Sequence, residues 1–109
     1  MANTFKLKTK ANVGVTTVGI YTAPAATTPV VIGITLANTS GSGVNVGVGV
    51  TRAGTTEDVK LLKNAPIPSG SSLEFMAGNK VVLEATDTVT VDSDTNNSVD
   101  AALTIMEIT

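Results

Sequence analysis

The chain has 109 residues, enough for one domain of ordinary size, with no cysteine, no histidine, no tryptophan, two phenylalanines and one tyrosine. The missing types exclude a disulfide framework, a thiolate or imidazole nucleophile or base, and the usual zinc ligand sets. The net charge of −2 is unevenly divided: residues 1–56 carry Lys6, Lys8, Lys10 and Arg52 and no acid, whereas residues 57–109 carry three lysines and all nine acids.

Fifteen valines and eighteen threonines favour strands, because branching at Cβ restricts χ1 and suits a pleated surface. Phe5 to Thr9 alternates Phe5, Leu7 and Thr9 against Lys6, Lys8 and Lys10, a period of two that predicts a strand or an extended arm. Val13 to Tyr21 is a second extended stretch, interrupted by Gly14 and Gly19. Thr22 to Pro29, with two prolines among small residues, reads as a loop.

Val30 to Asn38 is the clearest strand. Its alternation puts Val30, Ile32, Ile34 and Leu36 in the core, and Val31, Gly33, Thr35 and Ala37 on a small-residue outer face. After the flexible turn Thr39 to Gly43, Val44, Val46, Val48 and Val50 alternate with Asn45, Gly47, Gly49 and Thr51. The two segments read as a hairpin, and the glycines mark a bulge or a close backbone approach.

Ala53 to Glu57 is a turn and Val59 to Lys63 a short strand. Asn64 to Ser72 is a long proline-containing turn, and Leu73 to Met76 a strand. Gly78-Asn79 has hairpin-turn chemistry ahead of a strand from Lys80 to Glu84. Thr88 to Asp92 places Val89 and Val91 inside. Ser93 to Ser98 is a polar hairpin loop, and Val99, Ala101, Leu103 and Ile105 then alternate with Asp100, Ala102, Thr104 and Met106. Eight or nine short strands, with turns every ~8–12 residues, predict an all-β fold: a single-domain antiparallel β-sandwich over residues 1–109, Ig-like or jelly-roll-like. Residues 1–12 are its arm or edge strand.

Candidate chemistry is sparse. Gly78-Asn-Lys80 lacks the earlier glycine and the hydroxyl of a phosphate loop, and the glycine-rich stretch Gly41 to Gly54 contains no dinucleotide fingerprint. Glu74, Glu84 and Asp87 are the carboxylates on which glycoside chemistry would have to rest, with no spacing that fixes a pair. Asp92, Asp94, Asn96 and Asp100 resemble part of a calcium loop, but Asn97 stands where glycine is needed and Leu103 where a glutamate is needed. This is a weak metal candidate at most. Lys6, Lys8 and Lys10 form a small basic stripe, suited to contact with an acidic protein surface or to guarding a strand edge. Without stacking aromatics nearby, and at an overall acidic balance, nucleic-acid binding is not expected. The first residues have no apolar core of a secretion signal, and no apolar run approaches the ~18 residues of a membrane span, so neither is expected. The glycosylation sequons Asn38-Thr-Ser40 and Asn96-Asn-Ser98 are then chance occurrences.

Four passages carry a resemblance: Phe5 to Gly14, Tyr21 to Asn38, Asn64 to Ser72 and Val99 to Thr109. In phrasing they resemble small virion structural proteins of tailed bacteriophages, particularly phages of cyanobacteria. The resemblance implies a non-enzymatic part of the particle, without cofactor, made in the host cytoplasm. It would decorate or cement the capsid, or else sit at the neck, tail or fibres. Its partners would be the major capsid protein or other virion proteins, and further copies of itself as a homo-oligomer. No binding residue carries over from the resemblance. A carbohydrate- or ligand-binding sandwich is the alternative from another class, with Tyr21, Phe5 and Phe75 as its aromatics, of which Phe75 is expected to be buried.

Overall fold

A computed structural model describes residues 3–52, 57–75 and 81–108, with Phe75 described through its backbone only. Nine strands lie among the described residues: β1 (Asn3–Val13), β2 (Val18–Thr22), β3 (Thr28–Asn38), β4 (Val44–Arg52), β5 (Glu57–Ile67), β6 (Ser72–Phe75), β7 (Val81–Val82), β8 (Thr88–Ser93) and β9 (Val99–Ile108). They form two antiparallel sheets. One has the order β1-β9-β3-β6, with β7 also on β3; the other has the order β2-β8-β4-β5. This interleaved order is that of a jelly roll, in which most connections cross from one sheet to the other. The expected all-β sandwich is therefore found, in its jelly-roll form.

The core lies between the sheets. Ile34, Leu36, Leu103 and Ile105 from the first sheet meet Val46, Val48, Val89 and Val91 from the second, all buried. The valine alternation of β4 and the apolar alternation of β9 both point inward as their periods require.

The expectations are corrected on three points: pairing, the phase of β3 and the extent of β5. Val30–Asn38 and Val44–Val50 do not form a hairpin: β3 belongs to the first sheet and β4 to the second. The loop between β8 and β9 likewise crosses between sheets instead of closing a hairpin. Alternation reports which face of a strand is apolar but not which neighbour it pairs with, so a hairpin and an arch between sheets read alike. The arch after β3 is tied by buried Asn38. Its side-chain nitrogen donates to the carbonyls of Ser42 (2.8 Å) and Ile67 (2.9 Å), and its oxygen accepts from the Ser40 backbone (2.9 Å).

The second correction concerns the phase of β3. A register shift between Val31 and Gly33 inserts one residue against β9. Val31 is therefore buried while Val30 and Ile32 are only partly so, and the expected core set holds only from Ile34 onward. Thr35 and Ala37 do face outward as expected.

The third concerns β5, which continues through Asn64, Ala65 and Pro66 to Ile67 where a turn was expected. Two register shifts against β4, with Asn64 in the left-handed region (φ 55°), absorb the extra residues. Pro66 is tolerated because β5 is the edge of its sheet. The segment after it shows a related pattern: β6 and β7 pair with successive stretches of β3, so they run along one edge and do not face each other. The expected turns at 53–56 and Gly78-Asn79, and the burial of Phe75, lie outside the described residues. Among the described residues no helix is long and apolar enough to cross a membrane.

Candidate functional site

The predicted lysine stripe lies on β1, a free edge of the first sheet. Lys6, Lys8 and Lys10 stand opposite Ile105, Leu103 and Ala101, the inward-facing residues of β9. Directly opposed residues in an antiparallel pair share a face, so the lysines point toward the sandwich interior and Phe5 and Leu7 point away from it. The edge thus carries its lysines on the inner face, still reached by solvent, and its large apolar groups on the outer face. Phe5 is 69% exposed and Leu7 64%.

On the inner side Lys6 and Lys8 meet a polar cluster. Glu107 continues the inward phase of Val99, Ala101, Leu103 and Ile105 and is 6% exposed. Lys6 Nζ lies 2.9 Å from Glu107 Oε1, and the Tyr21 hydroxyl on β2 donates to Glu107 Oε2 at 2.5 Å. The hydrogen bond from Tyr21 and then that from Lys6 hold the Glu107 carboxyl below its ordinary value, outweighing the opposing effect of burial. Burial, followed by the Glu107 hydrogen bond and charge, pushes the Tyr21 hydroxyl well above its ordinary value. Lys8 Nζ sits 6.0 Å from the centre of the Tyr21 ring, at the outer limit of a cation–π contact. The cluster joins the β1 edge of one sheet to β2 of the other. The sequence carried a signal for it: extending the β9 alternation by one step places Glu107 inside, where a carboxylate needs partners.

On the outer side a continuous apolar row crosses four strands. Phe5 is opposite Met106, Met106 opposite Val30, and Val30 opposite Val82, so the four share one face. Val82 is 60% exposed. Beside this row, Thr9, Ala11, Thr35, Ala37, Asp100 and Ala102 line a shallow depression of about 310 Å³. The first sheet therefore presents a face that is apolar at one end and small-residue at the other.

The remaining sequence candidates are dispersed. Asp92 accepts from Thr17 Oγ1 (2.9 Å) and faces Lys60 (3.7 Å). Asp94 accepts from the Asn45 backbone (3.1 Å), Asn96 from the Val15 backbone (3.4 Å) and Asp100 from the Asn12 backbone (3.0 Å). Each oxygen set thus serves to fasten a neighbouring segment. Among the described residues no three acidic side chains are grouped to hold a metal ion. Glu84 and Asp87 share Arg52, at 3.2 and 3.0 Å, and Glu74 lies exposed on β6. Tyr21 is buried at 7% exposure and offers no stacking platform. Asn38 is buried with its side-chain nitrogen engaged, whereas Asn96 is exposed.

The two sheets, their jelly-roll order and the absence of a gathered catalytic set among the described residues define a β-sandwich with open faces and edges. Its fold is similar to that of a protein of Bacillus endospore appendages, which form a family of disulfide-linked pili. The TM-score is 0.60 at 16% identity, over 99% of this chain and 87% of that one. It is also similar to a chain of the T13 particle of infectious bursal disease virus, with a TM-score of 0.58 at 12% identity. A chain of the Gx strain of that virus gives a TM-score of 0.53 at 12% identity. Each of these matches covers 96% of this chain, which spans only 30% and 36% of the viral chains. At such identities the likeness is one of fold. No protein-family model matches the chain, and no curated protein matches it.

Proposed function

We propose that this chain is a non-enzymatic structural subunit of a multi-copy particle, specifically a tailed-phage virion component that decorates the capsid. The observation that carries the reading is the outward row Phe5, Met106, Val30 and Val82, continuous across four strands and open to solvent at both ends. Contiguous exposed apolar surface of this kind marks a contact site. A decoration subunit gains avidity from repetition and has no need of a deep pocket. The shared fold with pilus and viral-particle chains is compatible with such a role, though the assembly chemistry must differ from that of the disulfide-linked pili, because this chain has no cysteine.

Mass spectrometry of purified particles, with copy number read from intensity, tests the proposal. Capsid decoration requires lattice-scale copy number; a low copy number moves the protein to the neck, tail or fibres, and absence from particles removes the virion reading. The match to a filament-forming protein over nearly the whole of both chains favours the tail or fibre position as the second reading. A sugar-binding role has weaker support, since Phe5 is the only exposed aromatic among the described side chains.

A further inference from the structure

β1 is held in place differently from the strands around it. None of residues 3–11 belongs to the hydrophobic core, and Val13 is the strand's one buried residue. From Asn3 to Lys10 the strand is fixed by its ladder with β9, by the Lys6–Glu107 ion pair and by Lys8 over Tyr21. The character changes at its base. The register shifts between Lys10 and Val13, and Asn12 adopts a left-handed conformation (φ 58°). Immediately beyond, the Val13 carbonyl accepts from Ser98 (3.1 Å), the Gly14 carbonyl accepts from Ser93 (2.9 Å), and the Val15 amide donates to Asn96 (3.4 Å). A pinned base therefore carries nine residues that contribute nothing to the core. Extended, those residues reach about 30 Å at ~3.3 Å per residue.

Every contact that holds residues 3–11 can be made equally well by the same residues of another copy. That is the condition for strand exchange, in which closed and exchanged forms carry the same interactions and differ mainly in connectivity. The slot is also selective. With β1 withdrawn, Glu107 keeps Tyr21 but loses its cation, so the emptied slot keeps a negative charge that favours a strand bringing a lysine to it. A strand presenting lysine at the position of Lys6 satisfies it, and β1 of a second copy is such a strand.

We propose that residues 3–11 are an exchangeable arm: in the assembled state they leave their own β9 and pair, in the same antiparallel register, with β9 of a second copy of this chain, turning at Ala11–Asn12. The proposal deepens the reading of the chain as a multi-copy subunit and rests on it.

The lack of native cysteine makes a direct test possible. Phe5 and Met106 are directly opposed on the outer face. Phe5→Cys protein mixed with Met106→Cys protein and oxidised should give the mixed cross-linked dimer in several-fold excess over either homodimer. Leu7→Cys mixed with Met106→Cys lies two residues out of register on the same face and should give no such excess. Equal yields from the two mixtures, or no mixed dimer from the first, overturn the exchange. In a second arm, the Phe5→Cys, Met106→Cys double variant, oxidised as an isolated monomer, ties the arm to its own β9. It should lose the association seen by sedimentation and regain it on reduction. A locked variant that associates like the unlocked protein overturns the arm exchange while leaving the subunit reading intact. Unlocked protein that stays monomeric and is missing from particles overturns both.

Discussion

Tyr21 on β2 and Glu107 on β9 join the two sheets through a 2.5 Å hydrogen bond inside the sandwich, with Lys6 of the edge strand 2.9 Å from the other carboxylate oxygen. The bond shifts its partners in opposite directions, and stability should respond at both ends of the pH scale. The Glu107 carboxyl is lowered from 4.5, so its contribution is present above that value and is lost as pH falls through the lower folded value. The Tyr21 hydroxyl is raised from 10.0, so its contribution is present below that value. It is lost at higher pH, where the unfolded chain releases the proton that the folded chain retains. Denaturant midpoints measured across pH should show a plateau between these limits. Tyr21→Phe should lower the plateau and remove the tyrosine part of the alkaline decline. Because Tyr21 is the only tyrosine, tyrosinate absorbance reports its ionisation directly. An unchanged midpoint in Tyr21→Phe would show that the bond adds nothing to the join.

The glycines of β4 should differ in what they tolerate. A Cβ on Gly49 would lie 2.8 Å from the Val59 carbonyl oxygen, which belongs to the paired backbone of β5 and cannot rotate away. A Cβ on Gly47 would lie 2.6 Å from Asp92 Oδ1, the end of a side chain that can move, though moving it disturbs the contacts with Thr17 and Lys60. Gly49→Ala should therefore destabilise by about 1–3 kcal/mol, as overpacking does. Gly47→Ala should cost less, its strain offset in part by the ~0.5–1 kcal/mol that alanine gains over glycine in a strand. Urea unfolding of the two variants side by side checks the order, and the reverse order would contradict the close approach at Gly49.

Asn38 carries the arch from β3 to β4 with two donated and two accepted hydrogen bonds, including the side-chain bond from Ser40 at 2.7 Å. Asn38→Ala leaves the Ile67 carbonyl without this donor. The expected loss is about 1–3 kcal/mol, typical of a buried polar group that loses its partner. Asn38→Asp should also destabilise, because a carboxylate oxygen would replace the nitrogen that donates to Ser42 and Ile67. Thermal melts of both variants test this, and retention of the wild-type midpoint by either would show that the arch is held by its backbone alone.

The sequence made the strands legible but not their partners. Period two identified the inward valines of β4 and β8 and the inward residues Val99 to Ile105 of β9 because no bulge breaks their phase against the opposite sheet's side of the core. It misassigned Val30, Val31 and Ile32 because the bulge at Ile32–Gly33 leaves no mark in an uninterrupted apolar run. Sheet membership depends on how Thr39–Gly43 and Ser93–Ser98 cross the sandwich, and polar turns of similar composition serve hairpins as well. The lysine stripe was visible, but its inward direction was not. Alternating lysines normally face solvent, and here the edge strand overhangs the core so that Lys6 can reach the buried Glu107. What made the inversion possible, a carboxylate in an apolar phase, lies about a hundred residues further along the chain.

That inversion yields the prediction most specific to function. If Phe5 and Leu7 face outward to be covered by a partner in the particle, they matter for association and little for folding. Phe5→Thr with Leu7→Thr puts strand-favouring residues on β1 and leaves the core untouched, so the unfolding free energy should stay within about 0.5 kcal/mol of the parent, as for other surface positions. Association should fall sharply. Burying a phenylalanine or leucine side chain contributes about 1.5–3 kcal/mol each, so losing half of that total, about 2 kcal/mol, weakens binding roughly thirtyfold. Leu103→Ala, in the fully buried centre of β9, should show the opposite profile: about 2–5 kcal/mol of stability lost. Sedimentation and particle incorporation, measured beside unfolding for both variants, separate the two cases. A double threonine variant that unfolds early and still enters particles normally would mean that the outward row supports the fold and contacts nothing.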